Sequence, residues 1–582
     1  MSAAKLTRVV GSLAHASGMR DAVLNELVRV GDRNLLAEVL RITGDDATLQ
    51  VFEDTSGLAL EQPVRPQGLP LAIDLGPGLL GSVLDGIGRP LGALVARGGD
   101  FIAPGVEAPA IDPARRFVFR ATRAPGERVS EGDVLGAVEE RRGFEHRILV
   151  PPGKGGVLRA IRSGEVSCAE PIGELDDGTK LGLVQRWPVR RPRPARERIG
   201  SASPLLTGQR IFDFLFPVAE GGAVAVPGGF GTGKTVIEQS LAKYAEADVV
   251  VYVGCGERGN EMAEVLHDFR SLCDPRTGCP VLDRTVLVVN TSNMPVGARE
   301  ASVDVGLTVA EYFRDQGLRV AVMADSLSRW AEALREIGGR MQEMPGEEGY
   351  PTYLASRTAK VHERAGRVRC LGAPERHGSV TLFSAVSPPS GDFSEPVTQA
   401  CLAVAGALWA LDPALAHQRQ FPAVDASASY SLYADATEAW FAAHVDARWP
   451  DTRRELLSLL ERDGELREVA AVVGQEALED GDRLLLASAA MAREMVLGQS
   501  AYDPNDAYSP PAKTHRLARA ALDVHARGKS ALAAGATFET LALDPVRRAF
   551  AALRDAPAAE IDARAAELAA KIAAMSPHGG AP

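Results

Sequence analysis

Between Arg8 and about Val64, short β-branched runs such as Val39-Leu40-Arg41-Ile42 and Thr48-Leu49-Gln50-Val51-Phe52 alternate with Gly and Asp turns. That alternation predicts a small all-β barrel. Turn residues crowd together from Leu75-Gly76-Pro77-Gly78 to Gly88-Arg89-Pro90-Leu91, where a connector is expected. A second β-rich block follows from about Ala110 to Gln185. Its runs Asp133-Val134-Leu135-Gly136 and His146-Arg147-Ile148-Leu149-Val150, broken by Pro151-Pro152-Gly153, predict hairpins. From roughly Ile199 to Ala426 the pattern changes to short apolar runs alternating with helical stretches. The runs Ala223–Val226, Asp248–Val253, Thr285–Val289, Arg319–Met323 and Ser379–Ala385 each end in polar or Gly-rich turns. This is the signature of a parallel sheet flanked by helices, with ligands at the carboxyl ends of the strands. Beyond about Leu432 the chain is rich in Ala, Leu, Arg and Glu at helical spacing, so a helical domain is expected at the end.

The composition narrows the class without naming a chemistry. With 582 residues, 46% hydrophobic and 24% charged, the chain supports several cores and excludes disorder, collagen and a disulfide scaffold. A net charge of −12 argues against gripping nucleic acid or an anionic membrane, so no nucleic-acid partner is expected. Cys168, Cys255, Cys273, Cys279, Cys370 and Cys401 form no C-x-x-C pair, which fits a reducing cytoplasm. No apolar run approaches the ~18 residues that a membrane helix needs. Lys154, in the Pro-Pro-Gly turn, reads as a solvated lysine rather than a carrier attachment point. The segment Arg186–Arg196 interleaves prolines with arginines instead of aromatics, which fits a stiff extended linker better than an RNA-binding strip.

One segment carries chemistry outright. The first strand of the α/β region leads into Gly228-Gly229-Phe230-Gly231-Thr232-Gly233-Lys234-Thr235, followed by the helical Val236-Ile237-Glu238. The spacing matches G-x-x-x-x-G-K-[ST]: glycines let the backbone wrap phosphates, Lys234 reaches the β/γ-phosphates and Thr235 ligates Mg²⁺. One strand later, Val249–Gly256 delivers Glu257-Arg258 to the same sheet edge, where a carboxylate can polarise an attacking water. Arg258 either steadies Glu257 or meets phosphate charge; a structural ion pair is the plainer alternative. Arg319–Ala324 closes on Asp325-Ser326, the place for an aspartate that orders a magnesium shell, although a helix N-cap is also common there.

Beyond these motifs the chain resembles the catalytic A subunit of V-type and archaeal A-type rotary ATPases. The likeness rests on Gly254-Cys255-Gly256-Glu257-Arg258-Gly259-Asn260-Glu261, on Asn290–Val296, on Arg329–Glu336 and on Met344–Pro351, and spans about Arg8 to Asp506. It implies a multi-domain fold: a β-barrel over 1–70, a connector over 71–110, a β-rich insertion (bulge) domain over 111–190, a RecA-type P-loop α/β domain over 191–431, and a helical domain over 432–582. It also implies ATP or ADP as substrate with Mg²⁺. The head would be an alternating A3B3 ring, with B-type subunits supplying an arginine finger and with shaft and stalk subunits tying the ring to the cytoplasmic face of a membrane across which H⁺ or Na⁺ moves. By motif, Lys234 and Thr235 hold phosphate and magnesium, Glu257 activates water, Arg258 supports the site and Asp325 belongs to the magnesium shell. Phe421, in Phe421-Pro422-Ala423-Val424, and Tyr502, in Gln499–Asp503, match aromatics that sandwich adenine. On physical grounds alone such aromatics are usually core.

The chain departs from the family at Asp425-Ala426, where Asn-Trp is usual, at Leu327, which replaces a Thr, and at His362, which replaces a Tyr; Thr232 stands where the eukaryotic type has a cysteine in the phosphate loop. These changes bear on nucleotide affinity and partner fit, not on the phosphate chemistry. A flagellar or type III export ATPase or an F-type β subunit would share the loop but lack the insertion and the Gly-Asn-Glu. A catalytically silent paralogue would be expected to have lost Lys234 or Glu257.

Overall fold

The computed structural model describes residues 4–99, 102–141, 143–275 and 277–575; the outermost residues of the first and last expected domains, 1–3 and 576–582, lie outside the described residues. Lys5–Val10 through Val64–Pro70 form a six-stranded antiparallel sheet around a core that includes Leu6, Val28, Val39 and Leu49. The strands Val134–Arg141 and Phe144–Leu149 pair as an antiparallel hairpin within one of two four-stranded sheets, which together build the second β unit.

The central sheet positions the chemistry. Its parallel strands run in the order Ala407–Leu408, Ala223–Pro227, His377–Val386, Arg319–Asp325, Val249–Glu257, Thr285–Thr291 and Val83–Asp85. All five apolar runs legible in the sequence are therefore neighbours in one parallel sheet. They are buried on both faces, as continuous apolar strands must be. One face packs on the helix Val296–Asp315, and the other packs toward the C-terminal helices Trp449–Val473, Asp480–Ala492 and Pro511–Ala533.

Two segments differ from the sequence reading. Val83–Asp85, inside the turn-rich connector, forms the edge of the parallel sheet beside Thr285–Thr291. Three residues between glycine turns carry no periodicity, so only the partner strand makes them a strand. The Arg/Pro segment is extended, as expected of a linker, but it is a docked strap rather than a spacer. Gln185–Pro188 pairs with Ala72–Leu75, Arg190 sits between Glu38, Glu300 and Asp304, and Arg193 bonds Asp315 at 2.7 Å. Burial pushes Arg190 toward neutrality, but the Glu300 and Glu38 carboxylates outweigh it and raise the guanidinium well above its usual range. A second buried joint lies at His146, whose Nδ1 is 2.5 Å from Glu140 and whose Nε2 is 2.7 Å from the Tyr312 hydroxyl. Glu140 also accepts the Gly78 and Leu80 amides, so one histidine ties the β-rich insertion and the connector to the central helix.

Candidate functional site

The strand Ala223–Pro227 ends where the chain must turn sharply into the helix Lys234–Tyr244. Gly233 has φ +88°, a left-handed conformation that side-chain-bearing residues seldom adopt. At Gly228 an added Cβ would stand 2.7 Å from both Leu411 Cβ and Thr232 Oγ1. The Thr232 hydroxyl donates back to the Gly229 carbonyl at 2.8 Å and braces the loop from within. Successive amides and the N-terminus of an eleven-residue helix thus face the same space, which is the physical basis of an anion cradle. Gly231 turns at φ +79°, Phe230 projects from the tip at 89% exposure, and Thr235 is exposed at the helix start.

Lys234 folds back over the loop. Its ammonium donates to the Gly228 carbonyl and, at 2.8 Å, to Ser387 Oγ, in the loop that follows the strand His377–Val386. Burial lowers its pKa, opposed by the nearby Asp325, Glu238 and Glu257 charges. The Ser387 amide in turn donates to Ser328 Oγ, which ties this loop to the helix after Asp325.

Glu257 and Asp325 end adjacent parallel strands, with Gly254 registered against Asp325. Burial first, and then the Asp325 and Glu261 charges, push the Glu257 carboxyl up to about 7. Arg258 does not pair with Glu257 among the described contacts. Its guanidinium lies 5.7 Å from the Phe230 ring centre, so the strand-end Glu-Arg is not the simple ion pair that was the plainer alternative.

Two buried neighbours of Asp325 were not read from the sequence. Glu238, one helical turn beyond Lys234, is buried beside Asp325, and Tyr252 bridges them, its hydroxyl 2.9 Å from Asp325 Oδ2 and 3.1 Å from Glu238 Oε2. Burial and the Asp325 charge drive the Glu238 carboxyl well above the ordinary range. The available signal was an acidic residue on the sheet-facing side of the phosphate-loop helix, where an apolar residue would be usual.

Phe421 and Tyr502 meet on one cavity of about 740 Å³, lined also by Thr232, Gly233, Val236 and Ser240. Phe421 is 44% and Tyr502 87% exposed, so neither is a core aromatic of its own domain. A Cβ on Gly233 would sit 3.5 Å from the Phe421 ring, which places the ring over the loop backbone. The two segments are joined by the Gln499 backbone amide, which donates to the Phe421 carbonyl at 2.8 Å. Fully buried Arg210 holds the Tyr502 wall through the Val496 carbonyl at 2.7 Å and Asp506 at 2.5 Å.

The departures from the family pattern have local accounts. Asp425 closes a turn by accepting the Ser427 amide and hydroxyl. Leu327 is core, and buried His362 lies 2.9 Å from the Thr358 carbonyl and 3.2 Å from Ser384 Oγ.

Comparison with known proteins agrees with this arrangement. Family models match as the ATP synthase alpha/beta beta-barrel domain over 6–68, the barrel-sandwich domain over 108–190, the nucleotide-binding domain over 208–431, and the C-terminal domain of V and A type ATP synthase over 438–538. The V-type ATP synthase alpha chain of Anaeromyxobacter dehalogenans (strain 2CP-C) is 56% identical over 536 residues, 92% of each chain. The V-type ATP synthase alpha chain 1 of Clostridium tetani is 47% identical over 546 residues, 93% of this chain and 92% of that one. Among solved structures, the assembled ATPase EscN of the enteropathogenic E. coli type III secretion system superposes with a TM-score of 0.64 at 24% identity, covering 89% of this chain and all of that one, a likeness of fold alone. A phosphate loop, two strand-end carboxylates and an aromatic-lined cavity on a chain with this sequence kinship lead to one family: the protein belongs to the alpha, or A-type, chains of the V-type and A-type ATP synthases.

Proposed function

We propose that the chain is the catalytic nucleotide-binding subunit of a rotary V/A-type ATPase, hydrolysing or forming ATP in a head built with B-type subunits. The observation that carries the assignment of roles is the shared cavity. Phe421 and Tyr502 stand exposed over the phosphate loop, where a purine between them leaves the triphosphate on the amides of Gly229–Gly233.

Lys234, released from Gly228 and Ser387, meets the β- and γ-phosphates. Glu257 accepts a hydrogen bond from the attacking water and orients it in line. Such chemistry is catalysed by positioning and charge stabilisation. The residues present suit a hard cation, with one hydroxyl at Thr235 and one buried carboxylate at Asp325. Magnesium commonly uses one or two carboxylate or hydroxyl oxygens together with substrate phosphates and water. Bound there, it neutralises charge on the phosphate oxygens.

Three further assignments belong to this reading: an arginine finger contributed by a B-type neighbour, an alternating ring of three A-type and three B-type chains on a central shaft and peripheral stalk, and coupling to H⁺ or Na⁺ movement at the cytoplasmic face of a membrane. No helix among the described residues is long and apolar enough to cross a membrane. In this reading the other chains of the complex make the attachment. The insertion matched by the barrel-sandwich model, and relatives at 47–56% identity, favour this reading over an export ATPase.

The test compares ATP turnover by the purified chain with turnover by the head reconstituted with its B-type partner. An arginine finger contributes roughly 10³-fold or more. Turnover should therefore be slow alone and rise by that order on assembly. Equal rates for the two preparations would refute a site completed at the interface.

A further inference from the structure

Glu238 is an unusual residue for its place. The helix Lys234–Tyr244 packs its inner face on the sheet, yet at this position it carries a carboxyl that is 1% exposed. Glu238 Oε2 is 3.1 Å from the Tyr252 hydroxyl, and the same hydroxyl is 2.9 Å from Asp325 Oδ2. Glu238 Oε1 meets no N–H or O–H donor among the described residues, and the carboxyl stands instead in direct side-chain hydrogen-bond contact with Asp325. Burying a carboxyl against a second carboxyl is costly, and a helix that only needed packing would be better served by an apolar side chain.

The arrangement is asymmetric in a useful way. Asp325 ends its strand, and its charge acts on Lys234 of the phosphate loop. Tyr252 lies in the middle of the neighbouring strand, fully buried, edge-on to Phe269 at 5.7 Å between ring centroids, so its hydroxyl cannot wander. Glu238 completes the far side. A strand-end carboxylate is thus held by a rigid phenol and a second carboxyl behind it. Groups behind a metal-binding carboxylate orient it, and their loss typically weakens metal binding 10–100-fold.

We infer that Glu238 and Tyr252 form a buried clamp that fixes the Asp325 carboxylate for the divalent cation of the bound nucleotide, making Glu238 a positioning residue for metal rather than for nucleotide. The inference rests on the reading of Asp325 as a magnesium-shell residue. The two are separable by experiment.

The test uses the full-length chain loaded with one equivalent of ADP and titrated with Mn²⁺, followed by electron paramagnetic resonance, alongside ADP affinity measured in EDTA. Glu238→Leu should weaken Mn²⁺ binding about tenfold or more while metal-free ADP affinity stays within about twofold. Glu238→Gln, which keeps the contact with Tyr252 and offers an N–H to Asp325, should restore most of the loss. Tyr252→Phe preserves packing and removes only the hydroxyl, so it reports on the clamp even if Glu238→Leu folds poorly; it should also weaken Mn²⁺ selectively. If Asp325→Asn weakens Mn²⁺ but Glu238→Leu and Tyr252→Phe leave it unchanged, the clamp is wrong and the magnesium assignment stands. If Asp325→Asn itself leaves Mn²⁺ affinity unchanged, both fall. Equal loss of metal-free ADP binding in the clamp variants would assign Glu238 a general structural role and overturn the proposal.

Discussion

Lys234 Nζ donates to Ser387 Oγ at 2.8 Å, across 153 positions of sequence, and so joins the phosphate loop to the loop after the strand His377–Val386. The lysine is thus already placed over the cradle, held by groups that a phosphate must displace. Lys234→Ala is expected to abolish hydrolysis and to weaken Mg-ATP binding, because a point charge on the β/γ-phosphates acts in both ground and transition states. Turnover and nucleotide affinity on the same preparation check this, and near-normal turnover would remove the loop from catalysis.

Glu257 should behave differently. Glu257→Gln keeps the shape of the side chain but not its charge, so nucleotide binding should survive while most turnover is lost. A parallel loss of both would make Glu257 structural.

The same carboxyl sets a pH dependence. With its pKa raised to about 7 by burial and the neighbouring Asp325, Glu257 is uncharged below that value and charged above it. Water activation needs the charged form, and kcat/KM reports ionisations of the free enzyme. For the reconstituted head, kcat/KM should climb with pH and level off above about 7. A profile already flat from about pH 5.5 would mean that Glu257 titrates like an ordinary carboxylate or does not act as the base.

Phe421→Ala should weaken nucleotide binding several-fold, since stacking contributes on the order of 1 kcal/mol per aromatic, and should leave the chemical step largely intact. Phe421 is 44% exposed, so its loss should cost little thermal stability. Affinity and melting temperature measured together decide it. A lowered melting temperature with unchanged affinity would return the residue to the core.

His146→Leu tests the joint between the insertion and the central helix. It strips Glu140 Oε2 and the Tyr312 hydroxyl of a shared buried partner, while Glu140 Oε1 keeps the Gly78 and Leu80 amides; a buried polar atom so left costs about 1–3 kcal/mol. Hydrogen exchange in Val134–Arg141 and Phe144–Leu149 should quicken. Unchanged protection would show that the insertion is held without it.

Much of this protein was legible in the sequence because the relevant physics is local. The phosphate loop is contiguous: glycine conformation, helix N-terminus and lysine all lie within one short run from Gly228 to Thr235, so spacing alone specifies the cradle. Glu257 and Asp325 were found because apolar strands announce where they end. The five core strands were recognisable because burial on both faces leaves unbroken apolar runs. Tertiary structure decided what depends on partners distant in sequence. It turned Val83–Asp85 into a sheet edge, since three residues need a neighbouring strand to be one. It made Arg190 and Arg193 buried anchors, because their carboxylates come from segments distant in sequence. It brought Phe421 and Tyr502, which the family resemblance singles out but no local pattern joins, onto one cavity. It also set Glu238 behind Asp325: a glutamate in a helix reads as solvated until the fold buries it, and only the strand order brings Tyr252 between them.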